Sequence, residues 1–449
     1  MTEVSENRLK EAIALLDGLL GVEVRKPGTA ARLPAVIRVV ESLEPAGGMM
    51  FPVFPASYAG DGQNAPPVYD LNGVEYGPDM EVIQVKDRVR TRRDIVKARQ
   101  CTMDSPQSQA NRTELAFLED EKLVSLVPQA YVTIPRAEGK KASESVLSIP
   151  HRVADFRVRL SDKQGEVEAA ISAFADGDSL KLLRLMPTSI VFGFWDSRGK
   201  GTQPKHARIL MSRIDAFDVI PCTKHALYSG PYSKDEFARV VLASVELAAA
   251  VQEDPREPGK ETEEPKSATA KQAFKKMAAR GYTAAPSAGL GGVLVQGTIE
   301  RLALISVTDI ALLRCPDKDG KTQVELTNAA RRYVFTLAAL AERHPRETGS
   351  HRLRSGCELL TKKDGLKVDL RGGDGSYGDA AGLLALLTNR EELLAVAAEA
   401  KRKLGIPSNL DNFVVTTASL KADFDGAGGD GPDEKTAGGE AKRARRPRV

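Results

Sequence analysis

Tryptophan occurs once in these 449 residues, at Trp195, and the chain has only four cysteines and five histidines. Each scarcity excludes something. Cys101, Cys222, Cys315 and Cys357 stand apart with no CxxC pair, so neither a disulfide framework nor a clustered zinc site is expected, and reduced thiols are. Aromatic residues make up 5% against 42% apolar residues overall, so the core must be mostly aliphatic. No apolar run approaches the roughly 20 residues that cross a bilayer, and no signal peptide is evident. The expectation is a soluble, cytoplasmic protein with no membrane partner. Net charge is only +3, which does not by itself mark a nucleic-acid binder, so the distribution of charge has to carry any such reading. No spacing in the chain suggests a catalytic constellation, a resident metal or a cofactor.

What is present gathers around Lys181–Val219. Ser189–Trp195 is a short unbroken apolar run, which reads as a strand covered on both faces, with Trp195 at its buried end. Asp196-Ser197-Arg198-Gly199 is turn chemistry, and a second apolar segment, Ile209–Val219, follows. Around these two segments stand Lys181, Arg184, Arg198, Lys200, Lys205, His206, Arg208 and Arg213, with Asp196 the only acid among them. Unpaired cations on a rigid sheet edge suit phosphate; an ordinary solvated hairpin tip has the same composition.

Earlier in the chain, Ser5–Leu20 has helical periodicity and Ala35–Leu43 reads as a strand. Met49–Met80 is rich in Gly and Pro and reads as a long loop. Its Met49, Met50, Phe51 and Phe54 are of the kind that wedge between bases, or else pack as a satellite core. Lys86–Arg99 is densely basic, with Arg92 and Arg93 at its centre, and reads either as a solvated face or as a binding surface. Ser105 is a natural N-cap with Pro106 at the first helical position. The turns that follow are polar: Ser108, Gln109, Asn111 and Arg112. Helix N-termini furnished in this way suit a sugar-phosphate backbone. His151, Arg152 and Asp155 can share one helical face, an arrangement more typical of a hydrogen-bond cluster than of acid–base catalysis.

In the second half, Ser233–Val251 reads as a helix and 252–267 as an acidic, Pro-rich surface loop. Ala285–Gly292 is glycine-rich and precedes a strand, so it is no dinucleotide fingerprint. Leu326–Ala341 is an amphipathic helix. Gly356–Thr361 and Leu366–Leu370 read as two short strands, before helices at 379–388 and 390–404. Gly426–Val449 has almost no apolar residue, ends in KRARRPRV and reads as a disordered tail.

Three phrases, DSPQSQANRTE at 104–114, HRVADFRVR at 151–159 and SIVFGFWDSRG followed by KHARILMSRIDAFDV at 189–219, resemble the backbone subunit of type I-G (formerly I-U) CRISPR surveillance complexes, of the RAMP superfamily. The resemblance implies an α+β, ferredoxin-like (RRM-type) RAMP palm over residues 1–425. Large insertions are expected at about 45–80, 129–150 and 252–285, with the tail at 426–449. It implies guide-RNA contacts from the polar helix (Ser105, Ser108, Gln109, Asn111, Arg112), from Arg92, Arg93, Arg152, Arg198, Lys200, Lys205, His206 and Arg208, and from a glycine-rich loop at Gly289, Gly291 and Gly292. The implied partners are CRISPR RNA, a target DNA strand, further copies of the same chain, other Cascade subunits and a recruited nuclease-helicase.

Two functions are consistent with this resemblance. In the first, a non-enzymatic scaffold polymerises along the guide and leaves its bases free to pair with target DNA. In the second, the protein is a guide-directed ribonuclease with an aspartate on the loop after the first strand, where Asp61, Asp70 and Asp79 lie. A lone loop aspartate is commonly a turn residue.

Overall fold

The computed structural model describes residues 4–24, 34–60, 67–85, 88–197, 204–228, 285–372 and 381–427, with backbone alone for 78–94, 225–228, 285–288 and 425–427. The strands in chain order are β1 (Val36–Pro45), β2 (Leu71–Val85), β3 (Arg88–Asp104), β4 (Tyr131–Pro135), β5 (Lys141–Ser145), β6 (Phe194–Trp195), β7 (Lys205–His206), β8 (Leu210–Tyr228), β9 (Ala285–Val295), β10 (Ile299–Ser306), β11 (His351–Arg354), β12 (Cys357–Arg371) and β13 (Phe413–Val414).

Eight of these form one antiparallel sheet in the order β11-β12-β1-β10-β8-β3-β2, with β9 also paired to β8. Its centre, β12-β1-β10-β8, has the 4-1-3-2 strand order of a ferredoxin-like βαββαβ unit. The Val324–Glu347 helix is the crossover between the third and fourth of those strands. The fold is therefore α+β with an RRM-like palm, as the family resemblance implies. Everything between β1 and β8 is inserted into the first crossover. β3 and β2 extend the β8 edge of the palm, and β9 continues the line of β10 along β8, from Ala216↔Ile299 to Val219↔Val295. β4, β5 and β13 make a separate small sheet, and β6 and β7 a two-stranded ribbon.

The alternation of β1 explains the layering. Ile37, Val39, Glu41 and Leu43 all point inward, as period-two geometry requires. Ile37 and Val39 join a large apolar cluster with the helices Glu6–Leu20, Val324–Glu347 and Arg390–Leu404, while Leu43 joins a smaller one with Val53, Cys101, Met103, Ile214 and Ile299. Between the two lies a buried polar belt. Arg301, fully buried on β10, donates through Nη1 to Glu342 at 2.8 Å and to Glu41 at 3.2 Å. His351, Arg346 and the Thr361 hydroxyl also bond Glu41. Despite the opposing effect of burial, the hydrogen bond and charge of His351, with Arg301 and Arg346, hold the Glu41 carboxyl down at about 2. A buried charge is tolerable only when paired and hydrogen-bonded in this way.

Several sequence expectations need correction. Ser189–Trp195 is not a strand: Thr188–Phe192 is a short buried helix, and only Phe194–Trp195 is extended. A seven-residue apolar run has the same pattern in a buried helix as in a buried strand. Pro187 immediately before the helix and Gly193 at φ +76° immediately after it set its limits. Part of the expected Met49–Met80 loop is strand β2, zipped to β3. The glycine-rich segment lies within strand β9 and not in a loop. The two expected strands at 356–361 and 366–370 are one strand, β12, carried past a left-handed Asp364 at φ 58°. The Ser233–Val251 helix, the acidic loop and the tail at 428–449 lie outside the described residues. The helices at Glu6–Leu20, with Ser5 as its N-cap, and at Arg390–Leu404 stand where periodicity put them.

Candidate nucleic-acid interface

The segment from Pro187 to Leu210 folds back on itself. After the Thr188–Phe192 helix, Gly193 turns the chain into β6, and β7 returns antiparallel to it, pairing Phe194 with His206 and Trp195 with Lys205. A side chain at Gly193 would meet the His206 carbonyl oxygen at 2.8 Å and the Arg208 nitrogen at 3.0 Å, so this close return requires glycine. The ring of His206 lies against Phe174 and Phe194 and bonds through Nε2 to the Ile190 carbonyl oxygen at 3.0 Å. That oxygen can only accept, so Nε2 carries the proton. Burial pushes the His206 pKa below its ordinary value, against the pull of the Ile190 bond and of Asp309.

A second turn packs against this ribbon. Arg152 sits at φ 55° in the 3₁₀ turn Arg152–Ala154, and Asp155 caps the helix Phe156–Arg159. Between turn and ribbon runs an open groove of about 860 Å³, lined by Phe156, Trp195, Lys205 and Arg208 among others, including Gln107 of the Pro106–Glu114 helix.

Its electrostatics are one-sided. Each acid buried beside it is paired: Glu114 with Arg152 at 2.7 Å, Asp155 with Arg157 at 2.8 Å and Asp196 with Arg159 at 3.4 Å. Lys205 and Arg208 have no carboxylate partner among the described residues. The Nε of Arg208 is buried without a hydrogen-bond partner. Burial, with the Arg152 charge nearby, disfavours this cation and pushes its pKa down. A buried guanidinium N–H with no acceptor is costly unless something outside the chain supplies one, although the rest of this side chain is only half-buried. Trp195, expected in the core, is 56% exposed, with Lys205 Nζ 5.4 Å from the ring centroid. Phe156, also on the groove wall, is 39% exposed. Sequence reasoning missed Phe156, which looks like any other apolar residue in HRVADFRVR.

The remaining candidates divide. Gln109 is 2% exposed and belongs to the polar belt: its Nε2 donates to Asp104 at 2.6 Å, and its Oε1 accepts from Arg301 at 3.2 Å. Arg152 is 4% exposed and bonded to Glu114, Asn111 and the Gly193 carbonyl. Arg112 is tied to Asp104 and to the Leu353 carbonyl oxygen, the latter at 2.6 Å, while remaining partly exposed. Ser105 caps its helix by accepting from the Ser108 N–H at 3.3 Å.

Gly291 and Gly292 are explained by close packing, on the β8 backbone and on Val53 respectively, and the Gly292 N–H donates to Tyr69 Oη at 2.8 Å. Gly289 is open. Of the wedge candidates, Met50 and Phe51 stand 86% and 66% exposed, whereas Met49 packs on the smaller core and Phe54 lies on Gly356. Arg92 and Arg93 lie on β3 without described side chains, and Arg198 and Lys200 lie outside the described residues. The His151–Asp155 pair is 3.8 Å apart, with Asp155 committed to Arg157, which is the hydrogen-bond cluster of the two alternatives.

Residues 37–221 match the family model described as CRISPR-associated protein GSU0053. Over that span the chain is similar to a CRISPR-associated family. The span is less than half of the chain, and it runs from β1 into β8 and contains the whole groove. No curated protein matches the chain. Among the described residues no helix is long and apolar enough to cross a membrane.

Proposed function

We propose that the protein is the backbone subunit of a type I-G CRISPR surveillance complex, a non-enzymatic scaffold whose copies line up along the guide RNA. The observation that carries this reading is the groove between Phe156 and Arg208. It offers cations with no carboxylate partner among the described residues and exposed aromatic rings, the acids buried beside it are ion-paired within the chain, and it lies in the insertion that precedes β8 of the RRM-like palm, inside the segment similar to a CRISPR-associated family. Cations and ring faces bind nucleic acid without reading its sequence, and a guide-directed complex needs this because base pairing does the reading. Target DNA, other Cascade subunits and a recruited nuclease-helicase are the partners this role entails. The exposed Met50 and Phe51 are suited to separating adjacent bases. In the ribonuclease reading, Asp70 is the candidate with described side chain; its Oδ2 accepts from Thr102 Oγ1 at 2.7 Å, and no observation favours that reading over the scaffold.

Co-expression with a CRISPR array followed by low-resolution imaging tests the proposal. A helical assembly around RNA is expected. A compact monomer free of RNA overturns it.

A further inference from the structure

Resting on that nucleic-acid reading, we infer that the groove takes one unstacked nucleotide, its base lying on the indole of Trp195 and its phosphate on Arg208 and Lys205. Trp195 is the largest ring available to the chain, yet more than half of it is left open at the end of a two-residue strand. It is held there by pairing with Lys205, whose ammonium lies near the ring. A tryptophan presented in this way, beside cations, is a stacking platform that any base can use. Arg208 lines the same groove with a buried Nε that no atom of the described residues accepts from, and a phosphate oxygen supplies the missing acceptor in charge-assisted form. Phe156 lies on the groove wall, giving a second apolar surface. The cavity, about 860 Å³, lies within the span of about 300–1,000 Å³ typical of sites for compact ligands. A base inside a duplex keeps both faces in the stack, so such a site selects single strands.

The chain's one tryptophan makes the test site-specific. The full-length protein is titrated with a fluorescein-labelled, unstructured single-stranded RNA of mixed sequence. Anisotropy of the label reports binding and Trp195 emission reports stacking. The expected result is saturable quenching whose midpoint coincides with that of the anisotropy, and no quenching by the same RNA annealed to its complement. Trp195→Ala should weaken single-strand binding about tenfold or more, Trp195→Tyr should restore part of the loss, and neither should move the melting temperature by more than a few degrees. Saturating anisotropy with unchanged Trp195 emission overturns the inference and leaves the scaffold reading standing. No anisotropy change at any RNA concentration overturns both.

Discussion

Arg152, on the lining of the groove, is paired with Glu114, Nε to Oε2 at 2.7 Å, with both side chains almost wholly withdrawn from water. Arg208, in the lining of the same groove, has a buried Nε with nothing to donate to. One guanidinium is committed to an internal ion pair and the other is not, so the two are expected to respond oppositely to substitution. Removing Arg152 leaves Glu114 buried and uncompensated, so Arg152→Ala is expected to cost about 3–5 kcal/mol of stability. Chemical denaturation measures this. The double replacement Arg152→Met with Glu114→Leu should recover most of the loss, because no charge is then stranded.

Arg208→Met is expected to leave the melting temperature unchanged or slightly higher, since it removes a half-buried cation whose Nε has no acceptor and which has no carboxylate partner among the described residues. RNA affinity should fall by a similar factor for unrelated sequences, and the salt dependence should drop by about 0.7 for the one phosphate lost from a single strand. Thermal denaturation and RNA binding across a salt series read both effects. A large fall in melting temperature would show that the side chain has a packing role after all.

Gly193 adopts φ +76° and ψ 160°, a region essentially reserved for glycine. Gly193→Ala should cost about 1–3 kcal/mol from backbone strain. The approach to the His206 carbonyl at 2.8 Å adds a clash. Because this turn carries β6 into register with β7, Trp195 and Lys205 should lose their pairing, and RNA binding should weaken together with stability.

His206 gives a pH dependence whose sign is fixed by its environment. Its folded pKa lies below the ordinary 6.5, so the unfolded chain takes up the proton first as pH falls. Stability should therefore hold above about 6.5 and decline below it, by at most about 1.4 kcal/mol per pH unit for one proton, until the folded pKa is reached. His344 is shifted in the same direction, chiefly by burial. Denaturation curves at successive pH values in the wild type and in His206→Gln isolate the His206 share as the difference in slope.

Gln109 joins the Pro106–Glu114 helix to the belt through Asp104, Ser212 and Arg301. Gln109→Leu strands these partners in a buried site and should cost about 1–3 kcal/mol. If instead RNA binding falls while the denaturation midpoint stays in place, the residue serves the ligand and not the fold.

Much of this was legible locally. Helical periodicity marked Glu6–Leu20 and Arg390–Leu404, and Ser105-Pro106 announced its helix start because capping is a matter of neighbouring atoms. The cationic surplus around 181–213 was also plain, together with its single acid. Which of those cations remain free was not legible, because pairing is decided by residues far apart in sequence. Arg152 is taken by Glu114, 38 positions away, and Asp196 by Arg159, while Arg208 has no carboxylate partner among the described residues. The Ser189–Trp195 run misled for a related reason: a short apolar segment has the same pattern as helix or strand, and its packing against His206 and Ile209, with Pro187 and Gly193 at its ends, makes it a helix. The polar helix misled too, since Gln109 looks exposed in its sequence context and is buried only because Asp104, Ser212 and Arg301 converge on it. Local chemistry, acting over a few residues, determined where the elements begin and how charge is distributed. Tertiary packing alone decided that Trp195 faces solvent, that Gln109 and Arg152 do not, and that Arg208 Nε finds no acceptor among the described residues, because burial and pairing belong to the three-dimensional neighbourhood.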